Sequence, residues 1–280
     1  MGLERWMDIP QETVFPRVEM REIYIQTRAG LKQSDRFYAV VNPDVDWIYD
    51  VVTERYAIVK HEELISMVDR TLRGMGYRDY TTQTEFGGRY KARMIHKVLL
   101  TELKVNGDGL KFGFSITNSY DRSMGISANG YGFRLACMNQ MVWGKEILQE
   151  YTMHTKEVHE RLPEIIGRII DGLERVHETI EMAMNDAITL TELAEIIEKL
   201  GTSKRLKLKI AQLINKYTGF DFVKVMDKLD AIEAEKVLLN RWQAYNALTD
   251  ALTHYTQKID PMTVHQMQKT ASKVLVVASI

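Results

Sequence analysis

Residues 89–117, RYKARMIHKVLLTELKVNGDGLKFGFSIT, decide the fold class. The stretch alternates, breaks at Asn106-Gly107-Asp108-Gly109, and alternates again. Asn-Gly is a strong hairpin signal, because both central positions of the favoured two-residue turn must tolerate φ > 0. After the break, Leu110, Phe112, Phe114 and Ile116 share one face, and Lys111, Gly113, Ser115 and Thr117 share the other. Before it, Arg89, Lys91 and Arg93 line one face, with Lys97 continuing the row after an interruption at Ile95. Tyr90, Ala92 and Met94 are then predicted to face the core. The reading is two antiparallel strands, residues 89–105 and 110–117.

Working outward, residues 23–28, 36–41 and 56–59 read as short strands. Residues 61–73 read as a helix with Leu64, Ile65, Val68 and Leu72 on one face and Gly74 and Gly76 as its stop. Of the 17 glycines, 12 lie at or before Gly132, so turn punctuation is concentrated early. From about Cys137 onward the pattern is helical. Ile165, Ile166, Ile169, Ile170, Leu173, Val176, Ile180 and Met184 form one long amphipathic stripe. Thr189 and Glu192 make a capping box, and Gly201 ends the helix that follows. A basic helix over residues 204–217 stops at Gly219, and two more are predicted at about 231–257 and 262–278, separated by Pro261. The fold class is therefore α+β: an N-terminal antiparallel sheet with one packed helix, then a helical C-terminal half. Residues 1–140 and 141–280 are expected to share one core.

The chain has 280 residues, 37 Lys+Arg against 38 Asp+Glu, and 45% hydrophobic residues, the balance of a globular protein rather than a disordered or fibrous one. Its single cysteine, Cys137, excludes an intrachain disulfide and a zinc site built on paired thiolates. No apolar run reaches about 18 residues, so no membrane partner is expected. The start, MGLERWMDIPQE, has no apolar core of a secretory signal, and the expected location is the cytoplasm. A near-neutral total requires any nucleic-acid binding to come from local patches.

The row Arg89, Lys91, Arg93 and Lys97 is the most suggestive such patch, and Lys111 and Arg134 extend it if the strands pair as drawn. Cations on a sheet face can track a phosphate backbone. An ordinary solvated face is the other reading. Residues 201–228 carry seven Lys+Arg against two Asp, and residues 151–200 carry five against 11 Asp+Glu. That asymmetry fits two helices pairing their charges, or a phosphate-binding helix. The spacing from Ala194 to Gly201 is too long for a compact helix-turn-helix. Cys137, amid Leu135, Ala136 and Met138, reads as a small buried hydrophobe. His154 and His159 fall on different helix faces and make no metal pair. Trp242, Tyr245 and Tyr255 read as core. No catalytic residue, metal ligand or cofactor is assigned, and Asp121 as a metal carboxylate has no second ligand at a telling spacing.

Two blocks carry a family resemblance. Thr117-Asn118-Ser119-Tyr120-Asp121-Arg122-Ser123, followed by Phe133-Arg134-Leu135-Ala136-Cys137-Met138-Asn139, resembles the middle block of the phage/plasmid-like proteins known as domain of unknown function 932. Trp242-Gln243-Ala244-Tyr245-Asn246-Ala247-Leu248-Thr249, with His254 beyond it, is similar to that family's Trp-x-x-x-Asn-Ala-x-Thr block. The resemblance spans about residues 36–280, and its recurrent residues correspond to Arg134, Cys137, Asn139, Trp242, Asn246 and Thr249. Gln140 departs from the Gly or Thr usual there. The resemblance implies a virus, plasmid or prophage setting and no particular activity. Structurally, Asn139 would cap a helix, Arg134 would bond a strand carbonyl or a carboxylate, and Trp242 would anchor the helical layer. In the other reading, Arg134 and Asn139 contact a ligand.

The expected function is non-enzymatic nucleic-acid binding, with single-stranded DNA in replication or recombination as partner. Two rivals stand: a structural protein that forms a homo-oligomer through its long helix, and an enzyme acting on nucleic acid.

Overall fold

Strand pairing begins before the deciding hairpin. The computed structural model describes residues 15–105, 108–145, 147–155, 157–222 and 238–276. β1 (Glu19–Thr27), β2 (Gly30–Asn42) and β3 (Trp47–Thr53) form an antiparallel sheet in that order. Val18, Val40, Tyr49 and Val52 on one face pack with Ala92 and Tyr120. α1 (His61–Gly74) follows, burying Leu64, Met67, Val68 and Leu72, and the chain leaves it at Gly76 with φ 91°. Residues 56–59, expected as a strand, join no ladder. There Tyr56 Oη donates to the Ser119 carbonyl and the Ala57 amide to the His154 carbonyl.

A second sheet has the order β4-β5-β6-β7-β8, with a further strand, β9, on β7. Its members are β4 (Thr81–Gly87), β5 (Arg93–Val105), β6 (Asp108–Ser119), β7 (Ile126–Arg134), β8 (Asn139–Val142) and β9 (Gln149–Thr152). β5 and β6 are the predicted hairpin, though Asn106 and Gly107 of its turn lie outside the described residues. On β6 both faces are buried, Ser115 and Thr117 as well as Phe112 and Phe114. The helix expected from Cys137 is replaced by β8 and β9. Each has four residues, too few for a strand period to be told from a helical one.

The helices follow: α2 (Val158–Asn185), α3 (Leu190–Lys199), α4 (Lys204–Thr218), α5 (Arg241–His254) and α6 (Pro261–Ala271). Thr189 Oγ1 accepts from the Glu192 amide at 3.1 Å, as the capping box required, and Gly219 closes α4 at φ 75°. Two short strands, β10 (Ala187–Thr189) and β11 (Leu238–Asn240), pair between them. Of the helix expected at 231–257, residues 231–237 lie outside the described residues, and α5 starts later, capped by Asn240. Of the predicted α2 stripe, Ile165, Ile166, Ile169, Leu173, Val176 and Ile180 are buried. Among the described residues no helix is long and apolar enough to cross a membrane.

The chain forms two compact units. One comprises residues 1–98, 115–128 and 150–168, and the other residues 99–114, 129–149 and 169–280. In the second, Gly130 and Gly132 of β7 make room for the fully buried Trp143, which stacks on Phe112 with ring centroids 5.7 Å apart. A Cβ on Gly132 would stand 2.4 Å from the indole. Gly132→Ala is expected to cost about 1–3 kcal/mol by overpacking, read as a lower melting temperature. An unchanged melt would show that the indole has room to move.

Candidate nucleic-acid interface

β4 ends at Gly87, and the chain cannot continue into β5 directly. Gly88 has φ 71°, and Tyr90 and Lys91 take φ 51° and 57° in a single 3₁₀ turn, Arg89–Lys91. Left-handed backbone costs a residue bearing a Cβ roughly 1–2 kcal/mol, so the surroundings must hold it there. Three inward carbonyls do this. Tyr49 Oη donates to the Tyr90 carbonyl at 2.8 Å, His61 Nε2 lies 3.1 Å from the Lys91 carbonyl, and the Tyr120 amide donates to the Ala92 carbonyl at 2.8 Å.

The hydrogen-bond network assigns the His61 tautomer. The Asn118 amide nitrogen donates to the Val59 carbonyl at 2.8 Å and faces His61 Nδ1 at 3.0 Å. Nδ1 is therefore the acceptor, and Nε2 carries the proton given to Lys91. The ring stacks on Tyr120 at 4.1 Å, and Tyr120 Oη accepts from the His61 amide at 2.7 Å. Burial lowers His61 to about 4, and it does the same to His96 and His154. The first family-like block thus supplies the supports of this turn. Asn118 orients His61, Tyr120 underlies it, and Asp121 accepts from Arg93 Nε at 2.8 Å.

With its carbonyls turned in, the turn presents its side chains outward. Arg89, Tyr90 and Lys91 are exposed. The Arg89 guanidinium lies 4.3 Å from the Trp47 ring centroid and 5.7 Å from that of Tyr90, and the two rings are 5.5 Å apart. Lys91 Nζ lies 5.2 Å from the Phe86 ring. Of these rings Tyr90 is exposed, and Trp47 and Phe86 are half-buried beneath the cations.

The predicted row is not a strand row. Tyr90, expected in the core, is 42% exposed, because the turn reverses the alternation before Ala92. Arg93 is committed to Asp121. Lys97, expected on a solvated face, is buried with its ammonium 2.7 Å from Glu85 of β4. Arg89, Lys91, Arg93 and Lys97 fall in one unit, and Lys111 and Arg134 belong to the other. Sequence alone does not single out Trp47, Phe86, Tyr49 or His61. The available signal is Gly87-Gly88, since paired glycines interrupt a strand.

The second unit gathers the recurrent family residues. Arg134 Nη1 donates to Asn246 Oδ1 at 3.1 Å, and Asn246 Nδ2 to the Trp242 carbonyl at 2.8 Å. Thr249 Oγ1 bonds the Tyr245 and Asn246 carbonyls. Asn139 opens β8 rather than capping a helix. Its side chain meets the Asn246 carbonyl at 3.4 Å and His254 Nε2 at 3.2 Å. The half-buried Cys137 has its carbonyl 3.1 Å from His254 and its sulfur 3.9 Å from Arg134. These bonds brace the β7–β8 turn against α5. Trp242 and Tyr245 are buried as expected, whereas Tyr255 is exposed beneath the Lys209 ammonium. On α4, Lys207 pairs with Glu198 of α3, joining the basic and acidic helices. Among the described residues no group of three or more His, Cys, Asp or Glu could hold a metal.

Three of the buried histidines, His61, His96 and His154, set an acid limit. The unfolded chain takes up their protons near the ordinary value of 6.5, and the folded chain resists until about 4. Their stabilisation is complete above about pH 6.5 and is lost as pH falls toward 4. His154 stacks on Tyr56 at 5.0 Å, with neither ring nitrogen hydrogen-bonded in the structure. Urea midpoints are expected to fall between pH 7 and 4.5, less steeply in His154→Phe. Equal slopes would remove His154 from the acid response.

Comparison with curated proteins and with solved structures finds no match. The family model described as domain of unknown function (DUF932) matches residues 48–275, a span that holds both the Arg89–Lys91 turn and the Arg134–Asn246 brace. The chain belongs to that family.

Proposed function

We propose that this protein binds nucleic acid without transforming it, holding single-stranded DNA on the Arg89-Tyr90-Lys91 turn. The carrying observation is the Arg89 guanidinium stacked 4.3 Å over Trp47 on an exposed turn whose strained backbone is fixed from beneath. Arg89 and Lys91 contribute charge for phosphates, and the exposed Tyr90 offers a ring face that any base can use, while the half-buried Trp47 backs the Arg89 guanidinium. A preformed turn spares the ordering cost that a mobile loop would incur on binding. The family setting implied by the sequence, a virus, plasmid or prophage, is one where single-stranded DNA arises in replication and recombination.

Binding of a labelled single-stranded oligonucleotide, followed by fluorescence anisotropy across a salt series, tests the reading. Arg89→Ala/Lys91→Ala is expected to reduce the slope of log affinity against log salt by about 0.7 for each phosphate no longer neutralised. Tyr90→Ala should weaken binding about tenfold through weaker stacking, worth roughly 1–3 kcal/mol per base. Native affinity that ignores salt, or variants that bind like the native chain, would exclude this turn as the site.

A further inference from the structure

We propose that the distal β1–β2 ribbon is a second binding surface for the same polyanion, an inference that rests on the nucleic-acid reading above. The ribbon is set apart by a register shift. Glu22 pairs with Tyr38, but Tyr24 pairs with Gln33, leaving Ser34-Asp35-Arg36-Phe37 opposite the single residue Ile23. β3 pairs only with Phe37 to Asn42, so the ribbon from Tyr24 to Gln33 is two-stranded.

Tyr24 and Ile25 are successive in a strand and point to opposite faces, yet they are 55% and 54% exposed, and Leu31 is 70% exposed. Neither face of the ribbon is packed. A bare two-stranded ribbon is marginally stable in water, so packing against a partner would stabilise it.

Charge selects the occupant. Residues 22–36 carry Arg28, Lys32 and Arg36 against Glu22 and Asp35, all five exposed, and Tyr24 Oη donates to Glu22 at 3.0 Å. Among the described residues no carboxylate forms an ion pair with Arg28, Lys32 or Arg36. Arg36 lies 5.3 Å from the ring of the exposed Phe37, a cation beside an aromatic face as at Arg89 and Trp47. A second copy of this ribbon would bring like charges together, whereas a phosphate backbone neutralises them and leaves Tyr24 a base to stack on. The turn stands at the Asn42 end of β2 and the ribbon tip at the Gly30 end, so both would engage one strand only if it runs along this sheet.

The test uses the full chain. Anisotropy with a labelled single-stranded oligonucleotide compares the native protein, Arg28→Ala/Lys32→Ala/Arg36→Ala, and Arg89→Ala/Lys91→Ala, with sedimentation velocity on each. The ribbon variant is expected to bind about tenfold more weakly with a shallower salt slope, and the turn variant to keep salt-sensitive residual binding. Lys32→Glu alone replaces the triple variant should that one fail to fold, and it should show the same direction. Ribbon variants that bind like the native protein overturn the ribbon while leaving the turn standing. A native chain that does not bind overturns the underlying reading. A native oligomer that Leu31→Ser converts to monomer would make the ribbon an interface between copies and overturn the proposal.

Discussion

Two protons hold the Arg89–Lys91 turn in place, one on the Tyr49 hydroxyl and one on His61 Nε2. They bond the Tyr90 and Lys91 carbonyls and so keep two consecutive residues in left-handed backbone. Everything around them serves that geometry. Asn42 reaches the Tyr49 hydroxyl at 3.2 Å, and Asn118, fixed by the Val59 carbonyl, dictates which imidazole nitrogen carries the proton. With the carbonyls satisfied inside, the side chains of Arg89, Tyr90 and Lys91 have no direction left but outward.

The same logic sorts the cations. Where a carboxylate is within reach the charge serves structure, as with Arg93 on Asp121 and Lys97 on Glu85. Burial pushes the Lys97 ammonium down, and Glu85 opposes that shift, so the pair fastens β5 to β4. Arg241, 4% exposed, likewise ties Asp186 and Glu192 to the Val274 carbonyl. Arg89 instead rests on an indole, and its side chain stays exposed. The second family block follows the structural pattern, since Arg134, Asn139, Asn246 and Thr249 bond one another and local carbonyls.

The β5–β6 hairpin, the Thr189 cap and the Gly219 stop are legible in the sequence because each is written in neighbouring residues. The turn at Arg89 is not, because the groups that bend it lie 41 and 30 residues upstream, at Tyr49 and His61. Two-fold alternation therefore runs straight through a segment that tertiary hydrogen bonds have turned. Lys97 departs from its expected face for a related reason. Its partner sits on β4, whose sequence TTQTEFG shows little apolar alternation and so does not read as a strand. Of the nucleic-acid row, Arg89 and Lys91 remain outward, and the aromatic partners that give them chemistry come from elsewhere in the chain.

Hydrogen–deuterium exchange over residues 86–95 of the full chain, with and without a saturating single-stranded oligonucleotide, tests most directly that this fixed turn is the binding surface. The Arg89–Lys91 amides should exchange more slowly in the complex. Oligonucleotide bound with exchange in this segment unchanged would contradict the assignment of the site.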